Sequence, residues 1–165
     1  MLDYPPRMTS TRSIRRATDA DAAAVDELWA AGDRHHARAL PRRFREAPRS
    51  ATSLVIELAD PNVALFLAEQ DGNIVGAIRV VLRTANPYPN LVSRTFGEIN
   101  SVVVRETHRG RGIGTALIEV AHEWTLERGA DEIELNVWEF NREAIALYER
   151  LGYAKISCRM SKHLT

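Results

Sequence analysis

A glycine-rich run at residues 109–115, with the sequence RGRGIGT, constrains the fold of this chain more than any other feature. It stands between a valine-rich segment at 97–104, predicted as a strand, and residues 113–124, whose apolar side chains recur at helical spacing. Glycines let the backbone approach a ligand closely, and the first turn of a helix leaves its N–H groups without partners. With two arginines beside them, these groups favour an anion site suited to phosphate. The alternative is a tight strand-to-helix turn whose arginines face solvent.

Two well-known phosphate-binding patterns do not fit this run. A P-loop has a lysine followed by serine or threonine after its glycines, and no such pair follows here. A dinucleotide-binding fingerprint has a third glycine where Thr115 stands, and it follows the first strand of its unit, whereas this turn comes late in the chain. The pattern that remains is Gln/Arg-x-x-Gly-x-Gly/Ala, which Arg109, Gly112 and Gly114 satisfy.

A second pattern follows one predicted strand later. Asn141, Ala144 and Tyr148 recur at i, i+3 and i+7, which places them along one side of a helix, and a Gly-Tyr pair comes after it. Taken alone, the asparagine suits a helix cap and the tyrosine an amphipathic position. The two patterns, found together in this order, indicate one protein family far more specifically than either does alone. The chain resembles the GNAT superfamily of acyl-CoA-dependent N-acetyltransferases, most strongly over residues 97–153 and more loosely over 13–83.

The resemblance implies acetyl-CoA as co-substrate, with its pyrophosphate held by the backbone of residues 109–115. It implies that the main chain of 102–104 pairs with the pantetheine arm and polarises the thioester carbonyl, and that Asn141 contacts the same arm. Tyr148 is implied as the general acid at sulfur, and Glu98 as the base, acting directly or through water; no metal is implied. The implied coenzyme contacts are Val102, Val103, Val104, Arg109, Gly110, Arg111, Gly112, Ile113, Gly114, Thr115, Asn141 and Tyr148.

The chemistry of acetyl transfer explains why such groups are needed. An amine like that of lysine has a pKa of about 10.4, so it must lose a proton before it attacks. The thioester carbonyl needs donors aimed at the developing oxyanion, and a thiolate with a pKa of about 8.5 benefits from a proton as it departs. For Glu98 the alternative is an ordinary carboxylate at the end of a strand. The resemblance implies direct attack by a primary amine in a ternary complex.

The patterns predict an α/β fold, in which a single mixed, mostly antiparallel β-sheet is flanked by helices. Residues 1–12 are predicted to form a flexible tail, and 13–165 a single N-acetyltransferase domain. The turn signal Asp71-Gly72-Asn73 predicts a β-hairpin between two apolar runs. The predicted strands are 13–18, 63–69, 74–82, 97–104 and 132–138, with a last strand or hairpin from Tyr153. The predicted helices are one from Asp19 or Asp21 to Gly32, one from 113 to 129 and one from 141 to 152.

Composition excludes several classes of function. The 22 basic and 22 acidic residues give a net charge of zero, so no overall basic field favours nucleic acid as a partner. No apolar run approaches the roughly 20 residues that span a bilayer, and the N-terminus lacks the pattern of a secretory signal. One cysteine, Cys158, cannot form an internal disulfide, which favours a cytoplasmic protein. An exposed sheet edge near the C-terminus favours a homodimer.

The acceptor is expected to be the amine of a small molecule or a peptide, and the sequence does not identify it. A basic stretch at 34–49 suits an acidic group of the acceptor or the adenosine 3′-phosphate, or else forms a solvated helix face. Its adjacent His35 and His36 lie on different helix faces without a third ligand at matching spacing, so no metal site is predicted. Three tryptophans are predicted in the core or at its edge: Trp29, Trp124 and Trp138. Two functional alternatives remain, a non-catalytic module that binds or senses acyl-CoA and a transferase that uses another donor such as succinyl-CoA.

Overall fold

The computed structural model describes residues 12–47, 51–85 and 88–164. Of the predicted tail 1–12, only Arg12 lies inside the described residues, and it begins the first strand. The strands are β1 (Arg12–Arg16), β2 (Val63–Gln70), β3 (Asn73–Ala85), β4 (Arg94–Val104) and β5 (Ile133–Leu135). The α-helices are α1 (Ala22–Ala39), α2 (Ala51–Ala59), α3 (Ile113–Leu126) and α4 (Arg142–Arg150), and short 3-10 helices at Asp19–Asp21 and Glu106–His108 precede α1 and α3.

In the part of the chain that the structure describes, five strands form one sheet in the order β1-β2-β3-β4-β5. All neighbours are antiparallel except the parallel pair β4–β5, and helices cover both faces, which confirms the predicted fold class. Arg12 pairs with Gln70, and Gly76 pairs with Val104. The start of β1 and the end of β4 therefore lie at the same end of the sheet, with β2 and β3 between them.

The hydrophobic core has two layers, one on each face of the sheet. α3 and α4 pack on one face, where Leu117 and Trp124 are buried against β2, β3 and β4. α1 and α2 pack on the other face around Leu28 and Trp29. Two of the three tryptophans therefore lie in the core, as predicted. The prediction for the third tryptophan is wrong, because Trp138 lies beyond the end of β5 and is 39% exposed.

Gly32 does not end α1, which continues to Ala39. A Cβ atom at Gly32 would lie 3.1 Å from Val103 Cγ2, which is tighter than an ordinary carbon–carbon contact. The predicted helix end at this position is wrong because the glycine lets α1 pass close over β4, rather than forming a left-handed cap.

β4 and β5 separate after three paired residues, and this opens the sheet at one edge. Ile99 pairs with Leu135, and no ladder continues beyond that pair in the described residues. A register shift in the β3–β4 ladder leaves Asn100 unpaired, which forms a β-bulge that bends β4. The predicted strand 132–138 therefore ends at Leu135, because the residues after it have no neighbouring strand. The gap between the end of β4 and the start of α4 is a cleft.

The predicted strand or hairpin from Tyr153 onward is wrong, because residues 153–164 contain no strand. Gly152, with a φ angle of 90°, follows α4, and the Tyr153 amide donates to the Tyr148 carbonyl at 3.0 Å. From Ala154 onward the side chains are exposed. The segment pairs with none of the five strands, so its backbone has no ladder to join.

Candidate active site

The run 109–115 connects the end of β4 to α3. Gly110 and Gly112 have φ angles of 71° and 77°, a left-handed conformation that residues with side chains disfavour. Gly112 is the N-cap of α3, and the first helical hydrogen bond runs from the Ala116 amide to the Gly112 carbonyl at 3.1 Å. The amides of 113–115 consequently have no acceptor inside the helix. Together with the helix dipole, these N–H groups favour an anion at the start of α3.

The start of α3 is fixed against the sheet. Ile113 and Leu117 are buried, and a Cβ atom on Gly76 of β3 would lie 3.3 Å and 3.2 Å from their side chains. The first turn cannot shift without disturbing this packing. Its amides are therefore oriented before a ligand arrives, which reduces the conformational cost of binding.

A cleft of about 730 Å³ lies beside this turn, between α1, the end of β4 and the start of α4. Arginines outnumber carboxylates along its walls, and one of them, Arg105, is paired with Glu27 at 3.0 Å. The excess of positive charge favours an anionic ligand. The charged residues of the cleft are Arg34, Arg38, Arg105, Arg109, Arg142, Glu106 and Glu143.

Part of the predicted basic stretch lines this cleft, namely Arg34, His35 and Arg38. Burial, followed by the positive charges of Arg109, His36 and Arg38, lowers the pKa of His35 below its ordinary value. The imidazole of His35 is therefore mostly neutral at pH 7. The same interaction indicates that the positive potential reaches from α1 to the glycine-rich turn.

Asn141 is the N-cap of α4, and its Oδ1 accepts a hydrogen bond from the Ala144 amide at 3.4 Å. The same residue lines the cleft. The capping alternative considered for this asparagine is therefore realised, and it fixes the residue at the cleft wall.

Tyr148 of α4 is 8% exposed and packs edge-on against Tyr153, with ring centres 5.6 Å apart. Among the described residues the Tyr148 hydroxyl has no hydrogen-bond partner, whereas the hydroxyl of Tyr153 lies 2.7 Å from His122 Nε2. Burial raises the pKa of Tyr148 above its ordinary value. Its hydroxyl therefore keeps its proton at neutral pH and is available as a donor.

Glu98 of β4 accepts a hydrogen bond from Arg83 Nε at 2.8 Å. Burial acts to raise the pKa of Glu98, but hydrogen bonds from Arg83 and Asn100 outweigh it and hold the pKa below its ordinary value. The carboxylate is therefore ionised at neutral pH and is a weak base. Neither Glu98 nor Tyr148 is among the residues that line the cleft.

Residues 102–104 have a strand beside them on one side only. They pair with β3, while β5 has already ended at Leu135. Their remaining N–H and C=O groups therefore face the gap with no described strand beside them. Such an open edge suits an extended ligand that adds to the sheet as a strand. Of the predicted coenzyme contacts, the structure places Val104, Arg109 and Asn141 in the lining of the cleft.

Sequence reasoning missed an aromatic cluster beside the cleft. Ring centres of Phe44 and Trp138 lie 5.2 Å apart, those of His36 and Phe44 5.0 Å, and those of His36 and Phe140 5.6 Å. Arg43 of the predicted basic stretch lies over Trp138 rather than in the cleft. No sequence signal identifies this cluster, because its members come from separate segments with no common spacing. Arg49 of the basic stretch lies outside the described residues.

No helix among residues 12–47, 51–85 and 88–164 is long and apolar enough to cross a membrane. These ranges also contain no group of three or more His, Cys, Asp or Glu side chains arranged to hold a metal ion. The thiol of Cys158 is free and exposed.

Comparison with known proteins identifies relatives of this arrangement. A family model described as the acetyltransferase (GNAT) family matches residues 22–153. The chain is 35% identical over 107 residues to the aminoalkylphosphonate N-acetyltransferase of Salmonella typhimurium, covering 65% of this chain and 67% of that protein. It spans only 25% and 38% of the lengths of two other relatives, both uncharacterized N-acetyltransferases.

Solved structures share the fold. The F44R mutant of the BH1408 protein from Bacillus halodurans superposes with a TM-score of 0.88 at 24% identity, covering 93% of this chain and 99% of that one. The aminoglycoside N-acetyltransferase AAC(6')-Iy, solved in complex with CoA, superposes with a TM-score of 0.72 at 17% identity, covering 97% and 98%. At these identities the likeness establishes the fold alone.

Proposed function

Because this chain belongs to the GNAT family of acetyltransferases, we propose that it transfers the acetyl group of acetyl-CoA to a primary amine by direct attack in a ternary complex. The observation that carries the proposal is the glycine-rich turn at 109–115, whose oriented amides open beside an arginine-rich cleft. A diphosphate is the kind of anion that such amides bind. The cleft continues from this turn to the open edge of β4, which suits a long, extended coenzyme.

In the proposed mechanism, the main chain of β4 activates the thioester carbonyl for attack. An acyl-pantetheine arm laid along 102–104 would receive main-chain N–H groups, one of which stabilises the developing oxyanion of the thioester carbonyl. Asn141 orients the same arm from the opposite wall. As the carbon–sulfur bond breaks, the Tyr148 hydroxyl donates to the sulfur and limits its negative charge.

Glu98 is proposed as the base that accepts the amine proton, with water between the two groups. Its ionised state suits a proton acceptor, and its side chain leaves β4 on the face opposite Ile99, which packs against α3. The amine therefore approaches from the face that α1 and α2 cover, and the tyrosine acts from the other face. This division keeps the two proton transfers apart.

Replacing Glu98 by glutamine is expected to lower kcat/KM for the amine about tenfold. This is less than the roughly 10²- to 10⁴-fold contribution of a well-matched general base, because a lowered pKa makes the carboxylate a weak one. Because the lowered pKa keeps Glu98 ionised between about pH 6 and pH 9, only the protonation of the amine changes, and an amine with a pKa of about 10.4 has less need of a base as the pH rises. The loss should therefore be largest at about pH 6 and smaller at about pH 9, and a pH-independent loss would contradict a base role. Initial rates across this pH range measure it.

Glu134 provides a matched control for this variant. It lies opposite Glu98 in the β4–β5 ladder and is likewise paired with an arginine, Arg94. Changing Glu134 to glutamine removes a comparable charge without removing the proposed base, so kcat/KM should stay within about twofold. An equal loss in both variants would show that charge in this region, and not proton transfer, is what matters.

The acceptor is proposed to be the amine of a small molecule or a peptide, without nucleic acid as a partner. The Salmonella relative, by its name, acetylates aminoalkylphosphonates, which are small amines with an anionic group. The positive cleft is compatible with such acceptors as well as with the coenzyme. The free thiol of Cys158 is compatible with a cytoplasmic protein, which we propose. Residues 153–164 form no strand in this chain, and we propose that they contribute to a homodimer contact.

Kinetics with a panel of amines test this function. A matrix of acetyl-CoA and amine concentrations should give intersecting double-reciprocal lines, because both substrates must be bound together. Parallel lines would indicate a covalent acyl-enzyme and contradict direct attack. Saturable coenzyme binding without turnover on any amine would favour the acyl-CoA sensor, and faster turnover with succinyl-CoA would favour the alternative donor.

A further inference from the structure

Arg12 lies next to the glycine-rich turn although it is 99 residues away from Arg111 in the sequence. Its Nη1 donates a hydrogen bond to the Arg111 carbonyl oxygen at 2.9 Å. A Cβ atom on Gly112 would lie 3.8 Å from the same nitrogen, so the guanidinium lies against both residues of the Arg111–Gly112 peptide. The contact is possible because the start of β1 and the end of β4 lie at the same end of the sheet.

The hydrogen bond fixes a peptide group whose other end is a donor. The Arg111 carbonyl and the Gly112 N–H belong to one planar trans peptide, so they point in opposite directions. Gly110 and Gly112 flank this segment, and glycine allows the intervening peptide to rotate at little cost. A donor held on the carbonyl side therefore determines where the Gly112 N–H points.

We propose that Arg12 is a positioning residue for the coenzyme site, and that it holds the Gly112 N–H toward the diphosphate of acyl-CoA. This inference rests on the proposed function. Arg12 is exposed and forms no ion pair with the described residues, so it contributes little to the core and its guanidinium is committed to the turn. It acts through the peptide of the turn and needs no contact with the reacting atoms.

Changing Arg12 to methionine removes the donor while keeping a long side chain. We expect the Kd for CoA, measured by isothermal titration calorimetry, to rise about tenfold. The reason is that the hydrogen bond from the Gly112 N–H to the charged diphosphate would no longer be aligned. The KM for acetyl-CoA should rise by the same factor while kcat stays within about twofold. Arg12→Lys, which keeps a donor and the charge, should recover part of the affinity.

Two measurements separate positioning from simple charge attraction. Attraction between exposed charges is screened by salt, so a loss that disappears at about 0.5 M NaCl would overturn the proposal. A positioning role predicts that the loss persists at that salt concentration. It also predicts that the loss is confined to ligands with a diphosphate, so the affinity for acetyl-pantetheine should not change.

Arg16, on the same strand, gives a matched control. Its Nη2 also donates to a backbone carbonyl, that of Val63 at 3.2 Å, but at the opposite end of β1 from the turn. Arg16→Met should leave the Kd for CoA within twofold of the original value. If the unchanged protein binds CoA and Arg12→Met binds it equally well, this inference is wrong while the proposed function stands; if the unchanged protein does not bind CoA, the proposed function itself fails.

Discussion

The Tyr148→Phe variant is expected to lose about 10²- to 10³-fold in kcat for acetyl transfer, with a nearly unchanged Kd for acetyl-CoA. The ring keeps its packing against Tyr153, so only the hydroxyl is removed. Without it, the departing sulfur must leave as a full thiolate. Because burial raises the pKa of Tyr148, the hydroxyl keeps its proton throughout the neutral range, and the defect should not vary between about pH 6 and pH 9. Steady-state rates and a coenzyme titration measure the two quantities.

Tyr153→Phe is the matched control for this variant. It removes a hydroxyl from the partner ring, and that hydroxyl already bonds His122 rather than facing a ligand. We expect a lower melting temperature, because His122 loses its partner, and a kcat within about twofold. A Tyr148→Phe protein that turns over at the original rate would remove this residue from the mechanism.

The Gly112→Ala variant is expected to bind CoA about 10- to 100-fold more weakly. Its φ angle of 77° costs about 1–2 kcal/mol for a residue with a side chain, and relaxation of that strain turns the N–H of residue 112 away from the ligand. Each hydrogen bond to a charged group that is lost contributes about 1.5–3 kcal/mol. Calorimetric titration with CoA measures the change.

Gly72 offers a control with the same backbone strain. It also has a φ angle of 77°, and no atom lies within 4 Å of a Cβ placed there, but it sits in the turn between β2 and β3. Gly72→Ala should therefore lower stability about as much as Gly112→Ala and leave the Kd for CoA unchanged. Equal losses of affinity in both variants would mean that global destabilisation, and not the geometry of the turn, controls binding.

The parts of the fold that sequence analysis predicted are those whose signals are local. The turn at 109–115 combines glycines that need positive φ with a helix whose apolar residues repeat over 113–124, and both features are visible within a few residues. The hairpin around Gly72 is predicted for the same reason. The conformation of such elements depends little on contacts with distant parts of the chain.

The incorrect predictions concern features that distant segments decide. The apolar alternation of 132–138 predicts a strand, but strand pairing ends at Leu135 because a bulge at Asn100 bends the neighbouring strand away. Gly32 suits a helix end, yet it lies inside α1, where a Cβ would lie only 3.1 Å from Val103 Cγ2 of β4. The segment after Tyr153 has no strand to pair with. None of these constraints can be found in the neighbouring sequence.

The candidate site divides in the same way. The two short patterns predicted the glycine-rich turn and the helix that carries Asn141 and Tyr148, because each pattern lies within one element. The contact of Arg12 with Arg111 and the aromatic cluster around Trp138 join segments far apart in the sequence, and only the sheet topology brings them together. The roles assigned to Glu98 and Tyr148 remain predictions.

Isothermal titration of the purified protein with CoA at about 0.15 M salt tests the central claim most directly. Binding of a diphosphate by the turn at 109–115 predicts one saturable site with a Kd below about 100 µM, within the range common for enzyme substrates. It also predicts that inorganic pyrophosphate competes for that site. If millimolar CoA produces no saturable heat, the turn is a structural connection only, and the mechanism proposed for the cleft is wrong.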